Sequence, residues 1–302
     1  MTTHVPSLIC PVDFSDASRA ALMHAAVIAN HFGAQVTVLT VVDPFVAAIS
    51  AAEPTETTLE RDTEQALRRY CNEALAHLPA GPRSIKLRSA IGTPASEILR
   101  EARASNADLI VMSSHGHRGI RKMFFGSTTA RVLRETHVPV LITPASRTEA
   151  LSLSELAGQI HEVVAPVDLT AFSAHQIKVA AAIADATQVP LALIHVLKPE
   201  HGPGPIEKAR TQLSALQAMV ASRVLTECLV LSGEPSEEIV ELAASRRANL
   251  IVMGLHSSGL LGPRMGSVTY RVLSTTNAFV LALPPHVAMT TEQPVLAQGA
   301  IA

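Results

Sequence analysis

The sequence LIVMSSHGHRGIRKMFFGSTTARVLRETHVPVLIT, residues 109–143, decides the fold class. It begins with an apolar run, Leu109–Met112, and ends with a second one, Val138–Thr143. Short apolar runs without alternation are typical of strands buried on both faces of a parallel sheet. A loop rich in Ser, His, Gly and Arg and a helical segment lie between the two runs. The stretch therefore predicts strand, loop, helix and strand, with the loop at the carboxyl edge of the sheet.

The loop has the features of an anion site. Three glycines allow close approach of the backbone to a ligand: Gly116, Gly119 and Gly126. Three residues add positive charge: Arg118, Arg121 and Lys122. Gly126, Ser127 and Thr128 open the next helix, whose free amides and positive dipole end favour phosphate. No Gly-Lys-Ser/Thr follows the glycines, so this is not a Walker A loop, and a tight turn with solvated arginines is the alternative.

Strand and helix patterns alternate from the start of the chain. The predicted strands are 7–12, 35–42, 85–90, 109–112 and 138–143. A capping cluster, Asp13–Asp16, follows the first strand, and Gly33 ends the first helix. The expected helix core faces are Ala21, Ala25, Ile28 and Phe32; Leu67, Tyr70, Ala74 and Leu78; and Ile98, Leu99 and Ala102. This alternation predicts a doubly wound parallel sheet, and the order 3-2-1-4-5 would put its crevice between strands one and four.

The second half of the chain repeats the first. Residues 163–196 match residues 8–41 without a gap, so Asp168 falls on Asp13 and Val196 on Val41. Further on, residues 249–254 match residues 108–113 at an offset of 141 instead of 155, which makes the middle of the second half 14 residues shorter, and Gly266-Ser267 then falls on Gly126-Ser127 at an offset of 140. We expect two tandem α/β domains, residues 1–145 and 160–286, joined by a linker from Pro144 to about Leu156 and followed by a mobile tail.

Composition narrows the functional classes. The net charge is −2, and there are no Trp, two Tyr and seven Phe residues, so neither charge nor stacking favours nucleic acid. No apolar run is long enough to span a membrane, and no signal peptide is recognisable, which predicts a cytoplasmic protein. The three cysteines are widely spaced and predict neither a disulfide framework nor a zinc site, with Cys10 in the core.

The loop resembles that of the universal stress protein family. Nucleotide-binding members carry Gly, two residues, Gly, nine residues and then Gly-Ser or Gly-Thr. In this chain Ser113 replaces the first glycine, and Gly116 and Gly126-Ser127 keep the spacing. The resemblance covers residues 5–145 and 160–285 and implies an adenine nucleotide alpha hydrolase-like fold in each half.

This resemblance implies roles for individual residues. Asp13 and Val41 would line an adenine pocket, and Gly116, Gly126 and Ser127 would carry ribose and phosphates. In the second copy Asp168, Val196, Gly254, Gly266 and Ser267 are kept. Ser257 replaces the second glycine, only eight residues precede Gly266, and Pro263 removes a backbone donor, so weaker or altered binding is expected there. An alternative register aligns Gly259 with Gly119.

Several of these residues have simpler interpretations. Asp13 could be only a cap or turn residue. His115 and His117 are interpreted as a surface pair rather than metal ligands, because no carboxylate or cysteine lies nearby in the sequence. Ser127 is interpreted as a helix cap that can also touch phosphate.

Three functions remain as hypotheses. The first is a tandem universal stress protein that binds ATP, with Mg²⁺ as a possible companion, mainly in its N-terminal half, and regulates or signals through a protein partner. The second is a nucleotide-free scaffold, which Ser113 and the altered second loop would favour. The third is a slow ATPase, although the loops offer no carboxylate to activate water. The resemblance also suggests an intrachain pseudo-dimer of the two halves, and apolar edge strands at 138–143 and 278–283 allow a homodimer.

Overall fold

A computed structural model describes residues 5–45, 56–79, 82, 84–114, 126–144, 152–170, 172–199, 203–220, 223–255 and 265–285. The chain divides into two compact units, residues 1–156 and 157–302. Each unit contains a parallel sheet with helices between its strands. The two sheets repeat one plan, so the description of the first serves as the reference for the second.

The first unit has five parallel strands in the order β3-β2-β1-β4-β5. The strands are β1 (Ser7–Pro11), β2 (Gln35–Val42), β3 (Ser84–Ile91), β4 (Leu109–Ser113) and β5 (Val140–Thr143). The helices are α1 (Asp16–Phe32), α2 (Glu56–Leu75), α3 (Pro94–Ala104) and α4 (Ser127–Glu135), followed by the short α5 (Leu153–Gly158). The sheet order reverses between β1 and β4, as the sequence predicts.

Burial explains why these segments adopt their structures. In β1, Leu8, Ile9 and Cys10 are at most 2% exposed, which is the pattern of a strand covered on both faces. Ser15 caps α1 by accepting a hydrogen bond from the Ser18 amide at 3.2 Å. Gly33 ends this helix with a left-handed φ of 63°, a conformation that glycine adopts without steric cost.

The crevice at the reversal point follows from the strand pairing. β1 pairs with β2 as far as Pro11 and Leu39. Its pairing with β4 joins Leu8 to Leu109 and Ile9 to Ile110, near the start of both strands. The carboxyl ends of β1 and β4 therefore diverge, and the residues that follow them flank an opening at one edge of the sheet.

The second unit has the strand order β8-β7-β6-β9-β10, again all parallel. The strands are β6 (Val163–Pro166), β7 (Leu191–Leu197), β8 (Thr226–Ser232), β9 (Leu250–Gly254) and β10 (Phe279–Leu283). The helices are α6 (Ser173–Thr187), α7 (Pro203–Ala218), α8 (Pro235–Ser245) and α9 (Ser267–Thr275). β6 pairs with β9 at Val163 and Leu250 and at Val164 and Ile251, so its crevice corresponds to that of the first unit.

The predicted fold class is confirmed, with local corrections. The segment expected to be a linker contains α5, whose Leu156 is buried, so an apolar contact orders part of it. Leu78 lies beyond the end of α2 at Leu75 rather than on its core face. The predicted tail after residue 285 lies outside the described residues. In the described part of the chain, no helix is long and apolar enough to cross a membrane.

Candidate functional site

Asp13 and Val41 lie side by side at the carboxyl edge of the first sheet. The last residue pair between β1 and β2 joins Pro11 to Leu39. Asp13 and Val41 each come two residues later in the sequence than these paired residues. The Val12 amide also donates to the Leu39 carbonyl at 2.9 Å, so the two segments stay hydrogen-bonded beyond the end of β1. Asp13 is exposed and Val41 is half-buried. The structure thus brings together the two residues predicted to line one end of a ligand site.

The backbone around Asp13 forms a tight turn. Oδ1 of Asp13 accepts hydrogen bonds from the Ser15 amide at 3.2 Å and the Ser15 hydroxyl at 2.6 Å. Phe14 between them has a left-handed φ of 63°, which is uncommon for a bulky residue. Asp13 is therefore a turn residue, as one of the simpler interpretations predicted, and the helix cap of α1 is Ser15. The same turn leaves the carboxylate exposed at the sheet edge.

Ser18 and Tyr70, which the sequence analysis did not assign to the site, form hydrogen bonds with this turn. Oγ of Ser18 lies 3.3 Å from the Asp13 amide, which donates to it. The Tyr70 hydroxyl on α2 lies 2.9 Å from Ser18 Oγ and donates to the Ser15 carbonyl at 3.0 Å. The signal for Ser18 was present in the repeat, since Asp13, Ser15 and Ser18 correspond to Asp168, Thr170 and Ser173. Tyr70 has no counterpart of its own residue type in the second half.

The part of the site that was predicted to hold phosphates is formed by the end of β4 and the start of α4. The Gly126 amide donates to the Ser114 carbonyl at 3.1 Å, and the Thr129 hydroxyl donates to the Ser113 carbonyl at 3.2 Å. These two bonds fix the N-terminus of α4 against the strand that borders the crevice. Ser113, which stands in place of a family glycine, is only 8% exposed.

Gly126 is the N-cap of α4, so the interpretation of Ser127 as the cap is wrong. Ser127 is the first helical residue and is exposed, and Thr128 is half-buried. The cap residue has no side chain and therefore supplies no acceptor to the first-turn amides. A Cβ at Gly126 would lie 3.4 Å from the Ser114 carbonyl oxygen and from Thr129 Oγ1, which is near the limit of ordinary contact.

The centre of the predicted loop lies outside the described residues. This applies to Gly116, Gly119, His115, His117 and the basic residues Arg118, Arg121 and Lys122. The same is true of Ser257, Gly259 and Pro263 in the second copy. The roles given to these residues stay predictions.

The second unit repeats the acidic turn with a different set of contacts. Oδ1 of Asp168 accepts from the Thr170 amide at 3.0 Å, the Thr170 hydroxyl at 2.7 Å and the Ser173 hydroxyl at 3.2 Å. Leu169 has a left-handed φ of 61°, as Phe14 has in the first unit. Val196 is half-buried and stands level with Asp168, because the last pair of β6 and β7 joins Pro166 to Ile194.

The helix side of the second crevice also keeps the first plan. Gly254 ends β9 opposite Leu283 of β10. Gly266 is the N-cap of α9 without a side-chain cap, and Ser267 is exposed as the first helical residue. Both helices that face the two crevices therefore begin with a bare glycine.

A buried amide distinguishes the second crevice from the first. Nε2 of Gln176 donates to the carbonyl oxygens of Pro166 at 2.7 Å and Val252 at 2.9 Å, one on β6 and one on β9. The corresponding residue in the first unit is Ala21. Gln176 therefore links the two strands at the point where they diverge, and nothing in its helical sequence pattern singled it out.

The first unit has a small cavity at the same edge of its sheet, beside β2 and β3. The cavity has a volume of about 30 Å³, room for roughly one water molecule. Its lining residues are Val42, Glu60, Thr63, Ser89, Ala90 and Ile91. Burial raises the pKa of Tyr70 above its usual range, and the hydrogen bond from Ser18 acts in the opposite direction. Among the residues that the structure describes, no group of His, Cys, Asp and Glu could hold a metal ion.

A sequence profile of the universal stress protein family matches residues 6–144 and 159–284. A universal stress protein of Methanocaldococcus jannaschii, MJ0531, is 35% identical over 148 residues, which are 47% of this chain and 84% of that protein. The two matched ranges cover most of the chain, and each coincides with one parallel sheet. The chain therefore belongs to the universal stress protein family and carries two copies of its domain.

Solved structures agree with this fold. A universal stress protein from Archaeoglobus fulgidus covers 93% of this chain and 98% of its own, with a TM-score of 0.65 and 18% identity. Another from the same organism, solved in complex with dAMP, covers 41% of this chain and 96% of its own, with a TM-score of 0.36 and 26% identity. The first of these shares the fold over nearly the whole length.

Proposed function

We propose that this tandem universal stress protein binds ATP in its N-terminal unit and acts as a stress-response regulator through a protein partner. The observation that carries the proposal is the convergence of three segments at one sheet edge. The Asp13 turn, Val41 near the end of β2 and the N-terminus of α4 at Gly126 all lie at the sheet edge where the strand order reverses. In a doubly wound sheet this is the place where ligands bind.

The described residues fit the two ends of such a nucleotide. At one end, α4 begins without a side-chain acceptor, so its first-turn amides and dipole remain suited to a phosphate group. At the other end, the resemblance assigns the adenine to Asp13 and Val41, which stand level with each other. The loop residue Gly116 would complete the phosphate end. Mg²⁺ would accompany the phosphates, since it prefers oxygen ligands that include those of the nucleotide.

The proposal is asymmetric between the two units. The second unit keeps Asp168, Val196, Gly254, Gly266 and Ser267, but its loop is one residue shorter and contains Pro263. Its crevice also holds the Gln176 bridge between β6 and β9. We therefore propose weaker or absent ATP binding there. The proposal assigns no catalytic residue. It includes a cytoplasmic location and a homodimer, both inferred from the sequence alone.

The first experiment is to denature freshly purified protein and quantify the released nucleotide by chromatography. About one adenine nucleotide per chain would support an occupied first unit and an empty second one, whereas about two would contradict the asymmetry. No released nucleotide and no thermal shift with ATP and Mg²⁺ would contradict ATP binding. That result would favour the scaffold hypothesis, for which the buried Ser113 at a family glycine position is the specific observation.

A matched pair of variants then tests the location of the site. Asp13→Asn and Asp168→Asn both keep an oxygen that can accept the turn hydrogen bonds, while each replaces one carboxylate oxygen by an amide donor. We expect Asp13→Asn to weaken ATP binding and Asp168→Asn to leave it close to that of the unmodified chain. Equal effects of the two substitutions would contradict the assignment to the N-terminal unit.

A further inference from the structure

Tyr70 joins helix α2 to the turn that carries Asp13. The residue is 7% exposed, and its hydroxyl reaches two atoms at the start of α1, the Ser15 carbonyl oxygen at 3.0 Å and Ser18 Oγ at 2.9 Å. Its ring meets the Phe14 ring edge-on, with centroids 5.3 Å apart and an interplanar angle of 82°. Both the polar and the apolar part of Tyr70 therefore contact the turn.

Ser18 connects the tyrosine hydroxyl to the amide of Asp13. Its Oγ accepts from the Asp13 amide at 3.3 Å and lies 3.0 Å from the Ser15 carbonyl oxygen. Tyr70 is thus only one side chain removed from the backbone of Asp13. Linked hydrogen bonds of this kind strengthen one another in a buried setting, so the loss of one member loosens the others.

The surroundings of Tyr70 favour a fixed, neutral phenol. Burial raises its pKa above the usual range, so the hydroxyl keeps its proton at physiological pH and can donate it to the Ser15 carbonyl. Arg19 lies over the ring, with its Cζ 5.4 Å from the centroid, and approaches Glu73 of α2 at 3.8 Å. These contacts hold the ring in place independently of the hydroxyl.

We propose that Tyr70 is a positioning residue for the nucleotide site of the N-terminal unit, and that it couples occupancy of this site to helix α2. Its hydroxyl sets the Asp13 turn in the conformation that receives adenine, and a nucleotide on Asp13 in turn tightens the contact between α2 and the start of α1. The inference rests on the proposed ATP binding.

Among the described residues of the second unit, helix α7 offers no tyrosine for such a connection. The sequence of α7, PGPIEKARTQLSALQA, contains no aromatic residue. There the Ser173 hydroxyl donates directly to Asp168 Oδ1 at 3.2 Å, so the turn closes on its own residues. The two acidic turns therefore differ in whether a tyrosine of the neighbouring helix contacts them, which matches the proposed asymmetry in nucleotide binding.

The test is the Tyr70→Phe variant of the full chain, which removes the hydroxyl and keeps the ring contacts. We expect the dissociation constant for ATP to rise about five- to tenfold, the range for one lost hydrogen bond, while the circular dichroism spectrum stays unchanged. Ser18→Ala should weaken binding in the same direction. Tyr270→Phe, in the second unit, is the matched control and should leave ATP affinity unchanged. Unaltered affinity in both Tyr70→Phe and Ser18→Ala would overturn the positioning role.

The composition of the chain provides a second readout that a merely structural role would not change. It contains two tyrosines and no tryptophan, so Tyr270→Phe leaves Tyr70 as the one source of tyrosine fluorescence. We expect ATP to change its emission with the same dissociation constant as nucleotide binding measured by calorimetry. Binding without a change in Tyr70 emission would overturn the coupling to α2 and leave the proposed function intact. Absence of ATP binding to the unmodified chain would instead overturn the proposed function and the inference with it.

Discussion

Nε2 of Gln176 donates a 2.9 Å hydrogen bond to the carbonyl oxygen of Val252 and a second one, of 2.7 Å, to the carbonyl oxygen of Pro166. The side chain is fully buried, and among the described residues its Oε1 has no hydrogen-bond partner. An unpartnered buried acceptor costs free energy, so the two bonds made by Nε2 offset a penalty in the same side chain. This amide takes the place of the alanine at position 21 in the first unit.

Gln176→Leu should lower the stability of the second unit. The substitution leaves two strand carbonyls without their donor, at about 1–3 kcal/mol for an unsatisfied buried group, and part of this loss is returned because the unpartnered Oε1 is also removed. Urea unfolding followed by circular dichroism measures the change. Gln212→Leu on the exposed surface of α7 is the matched control and should stay within about 0.5 kcal/mol of the unmodified protein. Equal effects of the two substitutions would contradict a structural role for the bridge.

Two corresponding residues, Asn106 after α3 and Arg247 after α8, differ in how well their residue type tolerates a left-handed backbone conformation. Asn106 and Arg247 stand at corresponding positions, are both exposed, and have left-handed φ values of 47° and 52°. Asparagine tolerates this conformation better than arginine does. We therefore expect Arg247→Asn to raise the free energy of unfolding by up to about 1 kcal/mol. The reciprocal Asn106→Arg should lower it by a similar amount, and a change of the same sign in both variants would contradict the explanation.

The order of the strands could be predicted because it follows from local patterns and topology. Apolar runs such as Leu109–Met112 identify buried strands, and their alternation with helices restricts the sheet to a doubly wound order. The internal repeat then carries the same prediction into the second half. The convergence of Asp13 and Val41 follows from this topology without any knowledge of side-chain contacts.

The details of the site were less accessible to the sequence. Ser127 was expected to be the cap of α4, yet the helix begins one residue earlier than that interpretation requires, and helix ends are set by hydrogen bonds that residue type alone does not fix. Tyr70 occupies an ordinary core position of an amphipathic helix, so its hydroxyl contact 55 residues away leaves no local signal. The same is true of Gln176, whose partner Val252 lies 76 residues away.

Glu162 should make the second unit's stability depend on pH. Burial raises its pKa, and the hydrogen bond and charge of Arg246, at 3.1 Å, oppose this shift only in part. A folded-state pKa above the unfolded value means that the carboxyl group contributes most at low pH, below about pH 4, and that this contribution is lost as pH rises through the folded pKa. Glu162→Gln cannot titrate, so it should gain stability relative to the unmodified chain between pH 4 and 7.

Urea unfolding at a series of pH values measures this difference. The relevant quantity is the gap in the free energy of unfolding between Glu162→Gln and the unmodified chain at each pH. Arg246 keeps a second partner in the variant, because its Nη1 also lies 2.6 Å from Glu227 Oε2, so its charge does not become unpaired. A gap that narrows as pH rises would mean that the ion pair outweighs burial and would contradict the assigned direction.

Gly126→Ser should change stability and ATP affinity in opposite directions. The N-cap of α4 has φ −59° and ψ 131° and no side-chain acceptor. A serine hydroxyl there could accept from the first-turn amides, which should stabilise the helix by a few tenths, up to about 0.5 kcal/mol. The same hydroxyl would compete with phosphate for those amides, so ATP affinity should fall several-fold. Thermal unfolding without ligand and calorimetry with ATP measure the two effects separately.

Gly266→Ser at the N-cap of α9 provides the matched control. This glycine also begins its helix without a side-chain cap, so its substitution should give a similar gain in stability. Because the proposed ATP site lies in the N-terminal unit, Gly266→Ser should leave ATP affinity unchanged. If Gly126→Ser stabilised the protein and left ATP affinity unchanged as well, the amides of α4 would not bind phosphate, and the nucleotide would have to be held elsewhere.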